Sequence, residues 1–291
     1  MGIWGFALLN GLSVGAATFL VAAGLTLIFG ILKILNFAHG VFFTVGAYIT
    51  FSLIGAAPES TWAYIGASLL AGLVVGVIGW GTDLVVLRRL RSVDHSYTLI
   101  ATFALLLVGT GLVKLTWGLS PQSVSPPPLL QDAWTIGTLV LPVYSLFLMA
   151  AAVVVYLALE ALFTWSRIGK IINAVARDPW MAGLLGINVP AVMTGAVVVS
   201  FMLVGLAGGL MLANQSLTPE LGNVYLLLAF NAVIVGGLGS VRGAFIAAFL
   251  LGMAESVVSV LLPGMPGIAI YLILIAFLLI RPQGLVHVEP A

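Results

Sequence analysis

GFALLNGLSVGAATFLVAAGLTLIF, residues 5–29, runs without one charged side chain. A helix of roughly 20 apolar residues spans the hydrocarbon core of a bilayer. Lipid offers no partner for a backbone N–H or C=O, so a lone spanning segment is helical. A cleaved signal peptide carries basic residues ahead of its apolar stretch. Here the first Lys or Arg is Lys33, behind it. The stretch therefore reads as a retained helix, and its downstream positive flank favours an outside N-terminus.

Further qualifying stretches lie at 37–56, 62–86, 98–117, 139–163, 190–213, 243–262 and 267–281, the last one short. A ninth, 224–238, is also short and runs into Gly236, Gly237 and Gly239. It either crosses or dips in and returns. The expected fold is all-α: one polytopic transmembrane bundle over residues 1–291 with eight or nine hydrophobic segments. Composition agrees, with 62% hydrophobic and only 7% charged residues, against about a quarter charged in soluble domains. The chain has no cysteine, which excludes disulfides and thiolate metal sites.

The basic residues orient the bundle. With the N-terminus outside and every stretch crossing, Lys33, Arg88, Arg89, Arg91, Arg167, Lys170, Arg177, Arg242 and Arg281 all fall inside, and only Lys114 lies near the outer face. The opposite orientation violates the positive-inside rule, so the expectation is N-out and C-in. The outer connection 118–138, GLSPQSVSPPPLLQDAWTIGT, has no Lys or Arg. Its Pro126, Pro127 and Pro128 favour extended polyproline geometry. It is a stiff hairpin spacer or a docking surface for an external partner.

TWSRIGKIINAVARDPWMAGLLGINV, residues 164–189, is the longest polar-rich inner stretch. Ile168, Ile171, Ile172 and Val175 recur at helical spacing, with Arg167, Lys170 and Arg177 on another face, as in an amphipathic surface helix. A second, short helix follows. Asp178 suits its N-cap, Pro179 its first position and Gly186 its left-handed end. So short a helix needs a surface to pack on. The insert is either an interfacial loop or a lever gripped by a cytoplasmic partner.

Three passages resemble the LivH-type permeases of branched-chain amino acid ABC importers. They are GLTLIFGILKILNFAHGVFFTVGAYI (24–49), SRIGKIINAVARDPWMAGLLGIN (166–188) and NAVIVGGLGSVRGAFIAAFLLGMAES (231–256). The resemblance implies a second permease subunit, two cytoplasmic ATPases that use ATP, and an external substrate-binding protein. It casts the 164–189 insert as the coupling element, with Arg167, Gly169, Arg177, Asp178, Pro179 and Gly186 matching the family motif. It places the chain in the bacterial or archaeal cytoplasmic (inner) membrane, and leaves urea, amides and aromatic acids open as substrates.

A phosphate-binding loop reads G-x-x-x-x-G-K-[ST]. The Gly169–Lys170 pair is followed by Ile171 and preceded, at the first-glycine position, by Thr164. The expectation is a non-enzymatic translocation subunit with no cofactor of its own, hydrolysis falling to other chains. His39, His95 and His287 are far apart in sequence, so no metal cluster is expected.

Polar groups inside hydrocarbon are costly and should face a cavity, a helix or water. Asn36 and His39, in LNFAHG, read as an interfacial cap at the inner end or as part of an inner gate and substrate path. Asn231 precedes VIVGGLGS, where Gly236 and Gly237 allow either a broken helix that binds a zwitterion or plain close packing. Glu255, near the middle of its stretch, is protonated, paired with the sister permease, or a substrate contact. Asp83, Glu160 and Arg242 read as anchors, and Thr26, Thr102 and Ser200 as residues that bond back to their own helices. Residues 24–49 and 227–252 are faintly alike, as in an internal repeat. A secondary transporter and a membrane scaffold are the competing functions; the first would need buried coupling-ion sites, for which Glu255 is the strong candidate.

Overall fold

The structure, a computed structural model, describes residues 2–91, 93–136, 139–262, 264, 267–281 and 284–286. Helix α1 is Gly2–Leu32 and α2 is His39–Ile54. Helix α3 (Thr61–Thr82) runs through a π-helical turn, Asp83–Leu87, into the short α4 (Arg88–Leu90), and α5 is His95–Trp117. A 3-10 turn (Pro128–Leu130) and strands β1 (Ala133–Ile136) and β2 (Leu139–Pro142) precede α6 (Val143–Trp165). Then come α7 (Arg167–Arg177), α8 (Pro179–Leu184), α9 (Val189–Met211), a 3-10 turn at Leu212–Asn214, α10 (Leu221–Gly236), α11 (Val241–Leu261) and α12 (Ile268–Ile280).

Among the described residues, six helical segments are long and apolar enough to cross a membrane: Trp4–Leu32, Thr61–Leu90, Ser96–Trp117, Val143–Trp165, Val189–Asn214 and Val241–Leu261. His39–Ile54, Leu221–Gly236 and Ile270–Ile280 are apolar but shorter. The core lies where α1, α2, α9 and α10 meet, with Phe19, Leu25, Phe43 and Phe201 sealed inside. Outer helices turn apolar side chains outward, such as Ile100, Leu107 and Leu115 of α5 and Leu272 and Leu279 of α12. Water would penalise that surface; lipid does not.

Close approach depends on small residues. A Cβ at Gly11 would sit 2.7 Å from the Met253 Cα, so α1 and α11 touch backbone to backbone. Helix α2 meets α9 in the same way at Gly46 and Gly205.

The connections gather at two ends. At one, Gln122 bridges Leu217, the Ser125 amide donates to the Ala56 carbonyl (2.9 Å) and Lys114 pairs with Glu220. The Lys114 ammonium holds the Glu220 carboxyl below its ordinary range. At the other, Arg242 pairs with Glu160, Thr194 donates to Asp83, and the Val286 amide reaches the Gly236 carbonyl (3.1 Å).

Two expectations change, and one open alternative narrows. Residues 139–142 form a strand rather than a helix start, because the 118–142 connection folds into a hairpin with Ala133 opposite Pro142. Pro127 is extended (φ −66°, ψ 158°), but Pro128 opens the 3-10 turn, so the polyproline run ends there. The α-helical bundle thus carries one small hairpin. The 224–238 stretch belongs to one continuous helix, α10. It begins beside the Lys114–Glu220 pair and ends beside Gly30 and Val286, at the opposite end of the bundle.

Candidate functional site

The 166–188 insert is built from capping chemistry. The Ser166 hydroxyl accepts from the Gly169 amide (2.8 Å) and starts α7. Gly169 lies against the Leu162 carbonyl and the Phe163 backbone, where a Cβ would collide, which lets α7 fold sharply off α6. The Asp178 carboxylate accepts from the Met181 amide (2.9 Å), Pro179 occupies the first turn of α8, and Gly186 takes φ 83°. Asn188 then caps α9 through the Ala191 amide (3.1 Å). Three caps within 23 residues fix two short helices that could not persist alone.

The insert's faces divide unexpectedly. Ile172 and Val175 are buried, but Ile168 and Ile171, expected beside them, are exposed. On α8 only Ala182 is buried; Trp180, Leu184 and Leu185 are 71%, 63% and 76% exposed. With Trp165, 83% exposed, they leave several large apolar side chains uncovered at one end of the bundle. Of the named coupling residues, Arg167, Gly169, Arg177, Asp178, Pro179 and Gly186 all lie on this insert.

Asn36 and His39 lie deeper than an interfacial cap would. Lys33 leaves α1 with a left-handed backbone (φ 55°), its amide held by the Phe29 carbonyl, and residues 34–37 climb back into the bundle without regular structure. A Cβ on Gly24 would come within 2.7 Å of the His39 Nε2. Gly24 is two turns inside the end of α1, about 12 Å at the helical rise. Helix α2 therefore starts within the bundle. Non-helical backbone at such depth persists only where protein buries it or a cavity meets it.

The Asn36 Oδ1 accepts from the Ala38 amide (3.0 Å). Its Nδ2 and both His39 ring nitrogens have no hydrogen-bond partner among the described residues, although both residues are fully buried. Phe37 meets Phe230 edge-on (5.2 Å), next to Asn231, whose buried Nδ2 is also without a partner among the described residues. Each orphan costs about 1–3 kcal/mol.

Gly236 and Gly237 lie elsewhere, in a tight α10–α11 turn. Gly236 packs on Gly243, Gly237 and Gly239 take φ 102° and 89°, and Ser240 caps α11 through the Gly243 amide (3.0 Å). Glu255 sits late in α11 rather than at mid-span. It is half-buried, one oxygen accepts from the Gly267 amide that closes the α11–α12 turn, and the other has no partner among the described residues.

Thr26 and Thr102 bond back to Ala22 and Leu99 on their own helices. Ser200 does not: its hydroxyl donates across to the Gly24 carbonyl of α1 (2.7 Å). Gly24 has no side chain to keep the two helices apart, so the foreign carbonyl is within reach.

Asp83, Glu160 and Arg242 were read as anchors, but their partners, and the Tyr64–Tyr144 pair, escaped the sequence reading. Fully buried Asp83 accepts from Arg91 and, at 2.6 Å, from Thr194 of α9, which accompanies the π-turn. Arg242 donates through Nε to Glu160 at 2.8 Å. The Tyr64 and Tyr144 hydroxyls, 2.8 Å apart, donate to the Gly209 and Leu210 carbonyls where α9 ends. Ser166, three residues before Gly169, was readable as a cap; the long-range pairs carry no local signal. Among the described residues no His, Asp and Glu cluster could hold a metal; His287 lies outside them.

A multi-pass bundle with a capped insert at one end and a buried break in its interior defines a membrane transport protein. Residues 7–280 match the family model described as "Branched-chain amino acid transport system / permease component", and the chain belongs to that family. It is 31% identical to the "High-affinity branched-chain amino acid transport system permease protein LivH" of Escherichia coli (strain K12), over 95% of this chain and 93% of the relative. The LivH of Salmonella typhimurium is 30% identical over the same shares. BraD of Pseudomonas aeruginosa, likewise named a branched-chain amino acid transport system permease protein, is 28% identical over 96% and 94%. No solved structure gives a significant match. The chain is a multi-pass protein of the cytoplasmic membrane and a transport component.

Proposed function

We propose that this chain is the permease subunit of an ATP-driven importer that carries branched-chain amino acids through the cytoplasmic membrane. It acts with a second permease subunit, two cytoplasmic ATPases and an external binding protein. The reading takes nine crossings, N-out and C-in. Supporting this, the end that bears Lys33, Arg88, Arg89, Arg91, Arg167, Lys170, Arg177, Arg242 and Arg281 is one end, and Lys114 is at the other, in accord with the positive-inside rule.

The observation that carries the reading is α8. It is held by Asp178, Pro179 and Gly186, yet Trp180, Leu184 and Leu185 are left mostly uncovered by the described residues. A chain with no phosphate-binding loop receives work from outside, and a rigid helix with an apolar face is where a partner can push. An ATPase groove covers that face. Closure of the ATPase pair moves α7 and α8 together, and the bundle alternates between outward and inward access.

Asn36, His39 and Asn231 border the substrate path where α2 begins. Their unpaired donors and acceptors suit an ammonium or a carboxylate in the transport cycle. Gly236 and Gly237 set the inner turn at the end of α10, away from that break, and Glu255 shapes the outer turn.

The chain has no cysteine, so a single Leu184→Cys reports cleanly. In the assembled importer it should cross-link to an ATPase subunit, and vesicles containing all subunits should take up a branched-chain amino acid only with ATP. Uptake by this chain alone without ATP identifies a secondary transporter and overturns the reading.

A further inference from the structure

A cavity of about 670 Å³ opens at the end of the bundle that carries the insert, between the last turns of α1, the end of α6, helix α7 and the α10–α11 turn. Lys33, Arg177 and Arg242 line it, with Glu160 as the facing carboxylate. Glu160 is taken by Arg242. Lys33 and Arg177 form no ion pair among the described residues, so the lining carries an excess of positive charge. An anion would find complementary charge there.

A second observation points the same way. Lys33 is the one non-glycine among the described residues with positive φ. A lysine held in the left-handed region is a strained choice where glycine would be easy. The strained turn delivers this ammonium to the cavity mouth. Around the charges the wall is apolar, including Leu27, Ile31, Phe163 and Ile172. Thr26 and Asn173 add neutral polar groups. Paired cations beside an apolar wall suit a ligand with a phosphate on one side and hydrocarbon on the other.

We infer that this cavity is a phosphate-group site, gripped by Lys33 and Arg177. Under the N-out orientation proposed above, on which this inference rests, it opens at the headgroup level of the inner leaflet. An anionic phospholipid fills it from the membrane side, whereas soluble phosphate would enter from the cytosol. Because α7 forms one wall, an occupant braces the insert against α1 and α6.

The test uses the full chain, purified in neutral detergent and depleted of lipid, with thermal stability and native mass spectrometry as readouts. Phosphatidylglycerol, phosphatidylcholine and inorganic phosphate are added separately. Phosphatidylglycerol should bind and raise the Tm, and phosphatidylcholine should bind far more weakly. Lys33→Gly removes the charge while easing the backbone, so it should fold; with Arg177→Gln it should weaken phosphatidylglycerol binding about tenfold each, the worth of one charge-assisted contact. Arg281→Gln, a cation outside the cavity, should leave binding unchanged. A response to inorganic phosphate equal to that of the lipid supports the site and assigns its ligand to the cytosol. Equal binding of the two lipids, or phosphatidylglycerol binding untouched by both cavity variants, overturns it. Detergent binding needs no ATPase, so this result is separable from the coupling reading. Accessibility of Lys33→Cys to impermeant reagents tests the orientation on its own.

Discussion

The insert at 166–188 and the break at 33–38 are inverse cases. In the insert, every helix start is satisfied by a side chain, and apolar groups are left over: Trp165, Ile168, Trp180, Leu184 and Leu185. In the break, apolar groups are sealed and polar ones are left over: the Asn36 amide and the His39 ring. An uncovered apolar face at a membrane surface is covered by lipid or, on the reading proposed above, by a protein partner. A polar group left unpaired by the described residues takes its partner from a water, a ligand or a second state. On the reading proposed above, the first region takes a push from a partner and the second changes its pairing.

The largest test of that contrast compares two glycines. A Cβ at Gly46 would strike the Gly205 backbone, whereas at Gly183 the nearest atom is Val189 Cγ2 at 4.0 Å. Gly46→Val should separate α2 from α9, cost about 3 kcal/mol, and abolish the monodisperse folded chain in size-exclusion chromatography. Gly183→Ala should be harmless or gain about 0.5 kcal/mol by restricting the unfolded chain. Equal tolerance at both positions would mean the interior crossing is not tightly packed, and the contrast fails.

His39→Leu sharpens the comparison from the break side. It replaces two unpartnered nitrogens with hydrocarbon of similar bulk against Phe201, whose ring centroid is 5.7 Å away. Removing a buried orphan should raise stability by about 1 kcal/mol while uptake falls at least tenfold, on the order of the loss of one good polar contact. Stability is read by thermal melting and uptake in vesicles. A variant that is both more stable and fully active would remove His39 from the substrate path.

How far each region could be read from sequence follows from the range of its interactions. Asp178, Pro179 and Gly186 act within one helical turn, so their roles are written in adjacent residues. So were the apolar runs behind α1, α3, α5, α6, α9 and α11. The depth of Asn36 and His39 was not legible, because it depends on Gly24, Ser200 and Phe201, which approach from two other helices. The apolar stretch 37–56 reads as one uniform helical crossing, but its helix starts only at His39, after Lys33's left-handed turn and an irregular run have taken the chain back inward. The hairpin at 133–142 hid for another reason: residues 139–142 are as apolar as the helix that follows, and pairing with β1 rather than composition makes them extended.

Glu255 gives the smallest expected effect and separates the two kinds of leftover group. Its carboxylate accepts one hydrogen bond from the Gly267 amide, so it closes a turn as the insert's caps do. Its second oxygen is an orphan, as the break's polar atoms are. Glu255→Gln keeps an acceptor for Gly267, and removes the demand of burying a charge. It should be neutral in uptake and within about 0.5 kcal/mol in stability. Glu255→Ala loses the acceptor and should cost about 1 kcal/mol by loosening α12 from α11. If Gln behaves like Ala in stability, the ionised carboxylate matters to the turn itself. If Gln is as stable as the parent but fails to transport, the charge serves the cycle, and Glu255 belongs with Asn36 and His39 rather than with the caps.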